Sequence, residues 1–454
     1  MSRRRRKTLF TLALADIASV GVVFNIIAFF RGVIPWDTPI FAPLLVPCLF
    51  FIVAIYLIEG YDDQADFLSL EYASLHIIAV VIVTVATLLV TFVVRVPAGF
   101  SVAQSRGVIV LGYLTLTPLS IGYRRMWELK AGAARRERTL VFIGDAASCR
   151  EFEAESRQMR ATQPIVLCPL EPGSAENAPS FVTLRTTLAA IAAGDVDPEA
   201  LILREANPKL PADIADALLK LYFGGIPIYT LELFHETYWR KIPRYRLNQI
   251  WLFQEGFQIT REPVFAHAKR FTDVVLAATV LVIFSPLLLL AALAIRLEDG
   301  RPIFFVQTRI GRNRVPFRML KLRTMRPAPD GDVYTRKSDD RVTRVGRLLR
   351  VSRIDEVPQL WNVLRGEMSL IGPRAEWDRL VLLYENEIPC YHFRHLVKPG
   401  ITGWAQVNYP YGANIEDTVR KLEYDLYYIR HFSFFLDATI VLKTIHTMLS
   451  GKGR

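Results

Sequence analysis

The chain has 454 residues, 52 % of them hydrophobic and 22 % charged, with a formal net charge of +11. That length suggests roughly two to four domains, and a positive mean hydropathy beside so much charge excludes one ordinary soluble domain. The four cysteines (Cys48, Cys149, Cys168, Cys390) are scattered, with no CxxC or zinc spacing, which argues against a disulfide framework or a structural metal and fits a reduced cytosolic setting.

The first residues, MSRRRRKTLFTLALADIASVGVV, begin like a signal peptide, but the apolar run continues to Phe30, too long for an h-region. Three further runs follow at Ile40–Ile58, Leu75–Val94 and Gly107–Gly122, each near the ~20 residues a membrane span needs. A four-helix transmembrane bundle is therefore expected over 1–125. Arg3, Arg4, Arg5, Arg6 and Lys7 precede the first span, and Arg124, Arg125, Lys130, Arg135, Arg136 and Arg138 follow the fourth. An even number of spans puts both clusters in the cytoplasm, as the positive-inside rule prefers. The loop EGYDDQADFLSLEY would be cytoplasmic yet carries no Lys or Arg. Acidic residues contribute little to that rule, so the orientation stands. Asp16 lies inside the first span, where a carboxylate is a functional hypothesis by default. Without a cationic partner within the spans, it reads rather as a hydrogen-bonded packing residue.

From Arg138 strands alternate with helices: TLVFIGDA, PIVLCPL, ALILRE and IPIYTLEL as strands, AASCREFEAESRQM and PADIADALLKLYFGG as helices. This alternation predicts a Rossmann-like parallel α/β domain over 138–258. Of the glycines that let a dinucleotide approach, only Gly144 is present, so a regulatory or oligomerisation module is expected instead.

The segment TDVVLAATVLVIFSPLLLLAALAIRLEDG is long enough to span at Val274–Ile295. Crossing would put an arginine-rich tail outside, and Lys269 and Arg270 precede the segment as well. The flanks favour a helix that enters and leaves on one face. Ser285-Pro286 sits mid-segment, where proline removes a backbone donor. A re-entrant membrane helix over about 273–296 is expected, within an α/β domain over 262–454.

RPIFFVQTRIGRNRVPFRMLKLRTM reads as two strands with a turn around Gly311-Arg312-Asn313. By the two-residue period Phe317, Met319, Lys321 and Arg323 share a face. Lys321 and Arg323 then form either a phosphate clamp or a solvated basic edge. In RVTRVGRLLRVSR the residues Arg341, Arg344, Arg347 and Arg350 recur every third position, a basic amphipathic helix suited to an anionic membrane surface. The neighbouring membrane segments argue against nucleic acid as the partner. EVPQLWNVLRG then reads as a helix with Pro358 in its first turn and Gly366 ending it. Asp355 would stand near the N-cap with Glu356 just inside. By themselves the two are either an ordinary helix start or a site where free N–H groups favour phosphate.

The stretch from Lys269 onward resembles the bacterial sugar transferase family, the monotopic polyprenyl-phosphate phosphoglycosyl transferases. It does so in KRFTDVV, IFSP, IFFVQTRIGRNRVPFRMLKLRTM, RVTRVGRLLR, RIDEVPQLWNVLRGEMSLIGPRAE and KPGITGWAQVNYPYG. With the four spans and the α/β insert, the chain is similar to long-form exopolysaccharide-initiating members. Departures are LKLRTM for FKFRSM and GPRAE for GPRPE. The resemblance implies that a UDP-sugar, UDP-glucose first, gives its sugar-1-phosphate to the enzyme with release of UMP. Undecaprenyl phosphate then takes it. Asp355 would be the nucleophile and Glu356 would help hold Mg²⁺, while Ser285-Pro286 would break the re-entrant helix. Arg374, after Gly372-Pro373, is the first choice for a phosphate clamp, with Arg353, Lys321 and Arg323 next. Membrane lipid, a homodimer through the α/β domain and downstream glycosyltransferases are the expected partners. The expected place is the bacterial inner membrane, with the catalytic domain on the cytoplasmic face.

Trp404, Gln406, Asn408 and Tyr409 either pack a loop or contact the nucleotide, and His392 and His395 are expected to be structural. FFLDATIVLKTIHTML is too short and charged to span and is expected at the interface. Two rival readings are a non-catalytic assembly scaffold and a transporter. The latter needs polar residues on several spans, where Asp16 stands nearly alone.

Overall fold

The computed structural model describes residues 3–62, 65–93, 106–136, 138–159, 163–170, 178–204, 210–243, 263–326, 339–409 and 414–450. These divide into two units, Met1–Arg240 and Lys241–Arg454.

The first unit begins with helices α1 (Arg3–Phe30), α2 (Leu45–Leu57), α3 (Leu70–Val93) and α4 (Arg106–Arg136), which pack against one another. Arg6–Phe30 and Leu70–Thr91 are long and apolar enough to cross a membrane, and Ala42–Leu57 is a shorter apolar helix. Helix α4 carries Pro118 and a polar C-terminal half. The expectation for Asp16 needs correcting. Arg124, counted above as a flanking charge, is fully buried and grips Asp16 in a two-pronged pair, at 2.6 and 3.0 Å. The Tyr61 hydroxyl donates to the same carboxylate at 2.5 Å, and the Tyr123 hydroxyl does so too. Arg124 also donates to the Gly60 carbonyl at 3.3 Å. The cation escaped notice because it lies 108 residues away along the chain. Asp16 is not alone either: Thr8, His76, Thr87 and Ser120 are buried in the same helices.

A four-stranded parallel sheet follows, β1 (Thr139–Gly144), β2 (Ile165–Pro169), β3 (Pro198–Leu203) and β4 (Ile228–Thr230), in the order β2-β1-β3-β4. Central β1 is buried along its whole length, as a strand covered on both faces must be. Helices α5 (Ala146–Gln158), α6 (Pro179–Ala193), α7 (Ala212–Phe223) and α8 (Leu231–Phe234) pack on it. Phe181, Leu184, Ile214 and Leu218 pack on one face, and Phe152 and Phe234 on the other. Helix α6 was not anticipated, and the last residues of IPIYTLEL turn into α8, capped by Thr230. Strand order reverses between β1 and β3, where such sheets bind ligands. There Asp145 accepts from the Ala147 and Ser148 N–H groups at 3.1 and 3.0 Å and pairs with Arg204. Its carboxylate occupies the helix start a pyrophosphate would use.

The second unit opens with the 37-residue helix α9 (Pro263–Asp299), about 55 Å long at 1.5 Å per residue. Its Ala266–Asp299 segment is apolar enough to cross a membrane. The helix continues through Ser285-Pro286, where an interruption was expected. Proline withholds the N–H that the Val282 carbonyl would receive, and the Ser285 hydroxyl donates there instead, at 2.8 Å. Both ends of α9 are bonded to the body that follows. Arg270 donates to the Val363 and Leu364 carbonyls, and Asp273 accepts from the Leu370 N–H. At the far end Glu298 accepts from the Arg344 and Val345 N–H groups at 2.8 and 2.9 Å.

That body contains the antiparallel hairpin β5 (Phe304–Ile310) and β6 (Pro316–Leu322), with Asn313 left-handed in the turn. Next come α10 (Arg344–Ser352), α11 (Gln359–Arg365) and the parallel pair β7 (Ser369–Ile371) and β8 (Gly400–Thr402), then α12 (Asp378–Glu387) between them. Helices α13 (Trp404–Asn408), α14 (Ile415–Arg430) and α15 (Phe434–Leu449) close the chain. Their core gathers Trp404, Tyr391, Leu422, Leu426 and Ile440. On α10, Leu349 is buried while Leu348, one residue before it, is exposed.

Candidate active site

Asp355 and Glu356 do not cap a helix, contrary to the sequence reading. Helix α10 ends at Arg353, in left-handed conformation with φ 58°, and α11 starts only at Gln359 behind Pro358. Between them Ile354–Glu356 forms a separate single turn of 3-10 helix with no side-chain cap. The acidic pair is therefore not consumed by local structure.

Their surroundings differ. Glu356 takes the Lys321 ammonium at 2.6 Å, the Arg374 guanidinium at 3.7 Å and the Arg353 guanidinium at 4.0 Å. Burial would push its carboxyl up, but Lys321 and Arg374 outweigh that and hold it down at about 2. Asp355 is 8 % exposed and its Oδ1 has no hydrogen-bond partner. Burial first, and the Glu356 charge second, push its carboxyl above the usual range. Glu356 is ionised and charge-paired, while Asp355 keeps one oxygen without a hydrogen-bond partner.

Lys321 arrives on β6, beside Met319 and Phe317 as the two-residue period requires. Arg323 does not join it. Strand β6 ends at Leu322, and the Arg323 guanidinium turns to the Asp299, Gly300 and Arg301 carbonyls and the Asp299 carboxylate. It closes the end of α9 and lies away from the acidic pair. Ser285 and Pro286 lie midway along α9. Arg374 follows Gly372-Pro373, where the backbone crosses the later KPGITGW stretch so closely that a Cβ on Gly400 or Gly403 would meet Gly372 atoms at 2.1 Å. Trp404 is 2 % exposed and lies under the Lys443 ammonium at 4.8 Å, so it is a packing residue.

A small concavity is lined by Lys321, Arg374, Arg309 and Gln359 over Met319 and Met368. Arg309 and Gln359 were missed. Arg309 is directly opposite Phe317 in the hairpin, so the period that found Lys321 also puts it on that face. Gln359 carried no such signal. Asn362 fixes the two halves of the site together: its side chain bonds the Leu320 N–H at 3.1 Å and the Arg318 carbonyl at 2.8 Å.

Residues 264–451 match the model of the family described as bacterial sugar transferase. The chain is 39 % identical over 262 residues to the UDP-N-acetylgalactosamine-undecaprenyl-phosphate N-acetylgalactosaminephosphotransferase of Aeromonas hydrophila, covering 57 % of this chain and 61 % of that protein. It is 48 % identical over 186 residues to the UDP-glucose:undecaprenyl-phosphate glucose-1-phosphate transferase of Caulobacter vibrioides, covering 40 % and 70 %. It is 38 % identical over 194 residues to the exopolysaccharide production protein PSS of Rhizobium leguminosarum bv. phaseoli, covering 41 % and 97 %. The matched part thus spans less than two thirds of the Aeromonas protein. With the acidic pair, Lys321 and Arg374 brought together inside the matched region, the chain belongs to the bacterial sugar transferase family.

Proposed function

We propose that the chain transfers sugar-1-phosphate from a UDP-sugar to undecaprenyl phosphate, initiating an exopolysaccharide or capsule repeat unit. The observation that carries this is the division of labour in the acidic pair: Asp355 presents an unpartnered buried oxygen, while Glu356 is held ionised among cations. In the first step an Asp355 oxygen attacks the phosphorus next to the sugar, and the bond to the bridging oxygen breaks, releasing UMP. In the second, the undecaprenyl phosphate oxygen attacks that phosphorus and the acyl-phosphate bond breaks, restoring Asp355. A carboxylate nucleophile divides one displacement into two easier ones. Arg374 and Lys321 offset the diphosphate charge, with Arg353 at the rim.

The donor set suits Mg²⁺. Glu356 is a hard oxygen ligand, and among the described residues no group of three acidic, His or Cys side chains could hold a metal alone. That fits an ion that keeps its waters and shares substrate phosphates. Bound there, Mg²⁺ would supply neutralisation of the diphosphate charge.

Bonds at both ends support one-sided seating of α9, since they meet the same body at Arg270 and at Glu298. Its exposed side, with Val282, Ile283, Leu289 and Leu290, would face lipid. A four-span bundle with the catalytic unit on the cytoplasmic face of the inner membrane completes the reading. Partners would be a second copy through the α/β domain and downstream glycosyltransferases. Relatives are named for glucose and for N-acetylgalactosamine, so UDP-glucose is tried first within a panel. UMP release by purified protein with Mg²⁺ and undecaprenyl phosphate tests the proposal. Asp355→Asn is expected to fall to background, and unchanged turnover would remove the nucleophile assignment.

A further inference from the structure

Behind the turn that carries Arg374 lies a buried row of charges. Arg394, with a side chain 5 % exposed, donates to Asp425 at 2.8 Å, to the Tyr391 hydroxyl at 2.6 Å and to the Arg374 carbonyl at 3.1 Å. Arg309 donates to the next carbonyl, that of Ala375, at 3.2 Å. Glu376 lies 3.8 Å from both guanidiniums. The neighbouring carbonyls are taken too: Ile371 by the Tyr428 hydroxyl at 3.2 Å, Pro373 by the Gly400 N–H at 2.8 Å and Glu376 by the Ile310 N–H at 3.1 Å.

Surface turns ordinarily leave such carbonyls to water. A buried ion pair is a costly substitute, because desolvation offsets much of its attraction. What the row achieves is a fixed backbone under a side chain that packing does not hold: Arg374 is 42 % exposed, so its aim depends on where its Cα sits. We propose that Arg394 is a positioning residue, anchored on Asp425 and Tyr391, which holds the Arg374 carbonyl and thereby sets where the Arg374 guanidinium meets substrate phosphate. This rests on the phosphate-clamp role given to Arg374 above. Lysine cannot replace it, since only the planar guanidinium fork serves three acceptors in fixed directions.

The test is a double-mutant cycle of Arg394→Lys and Arg374→Ala, in nanodiscs with UDP-glucose, undecaprenyl phosphate and Mg²⁺. Arg394→Lys keeps a cation beside Asp425. It is expected to lower kcat/KM about 10- to 100-fold, the scale of an ångström-sized misplacement, and less than about twofold once Arg374 is alanine. Equal losses in both backgrounds would overturn the proposal. If Arg394→Lys does not fold, Tyr391→Phe removes one anchor and enters the same cycle. Amide exchange over 372–376 in the ligand-free protein gives a readout independent of turnover. Faster exchange confined to that turn in the Arg394 variant is expected, and unchanged exchange would overturn the claim. A wild type that releases no UMP rejects the transferase reading, while the exchange data still decide the positioning role.

Discussion

Asp355 and Glu356 are neighbours in sequence, yet their carboxyls are pushed in opposite directions, and pH should report this. Asp355 must be ionised to attack, and its carboxyl is raised, so activity is lost as pH falls through that raised value. Lys321 is one of the charges that hold it down, so Lys321→Met is expected to move the acid limb of the kcat/KM profile to higher pH. An unmoved limb would separate Lys321 from Asp355. Glu356 has the opposite sign: its depressed carboxyl contributes stability that is full above the ordinary range and is lost progressively as pH falls from there through about 2. Lys321 was legible because a strand period gives it a direction, whereas Arg353 and Arg374 came from the family resemblance. Arg323 broke that logic because β6 stops one residue before it. Arg394 was invisible because its partner Asp425 lies 31 positions away, on another helix.

Elements of this fold are joined by buried polar groups at a few points, and each joint makes an expectation. Asn362 pins α11 to β6, so Asn362→Ala would leave the Leu320 N–H and the Arg318 carbonyl without partners. A loss of about 2–6 kcal/mol is expected in denaturant unfolding of the detergent-solubilised protein, at about 1–3 kcal/mol for each of the two stranded groups. Arg124→Met would strand Asp16 with 0 % exposure and is expected to cost about 3–5 kcal/mol. Restoring much of that loss with Asp16→Leu in the same chain would identify the pair as structural. The sheet strands were readable as short apolar runs and the hairpin from its two-residue period and the turn at Gly311-Arg312-Asn313, since both signals act locally. The single turn at Ile354–Glu356 was not, because the left-handed Arg353 that separates it from α10 leaves no mark in composition.

At the scale of the molecule, the acidic loop after α2 acquires a reason. Glu59 and Asp62 both meet Arg240, at the end of the α/β part. This favours the loop and that domain on one side of the membrane, as an even number of spans requires. Cysteines introduced at Thr272 and Leu297, near the two ends of α9, are expected to resist membrane-impermeant reagent in intact cells and to react in inverted vesicles. Labelling of Leu297→Cys from outside would mean that α9 crosses. On the one-sided arrangement, a helix fastened at both ends to its own globular body has a consequence for how the protein is made. No polar segment after α4 has to be carried through the bilayer. The enzyme unit could then finish folding in the cytosol and settle onto the membrane as a formed piece, leaving only the N-terminal helices to the insertion machinery.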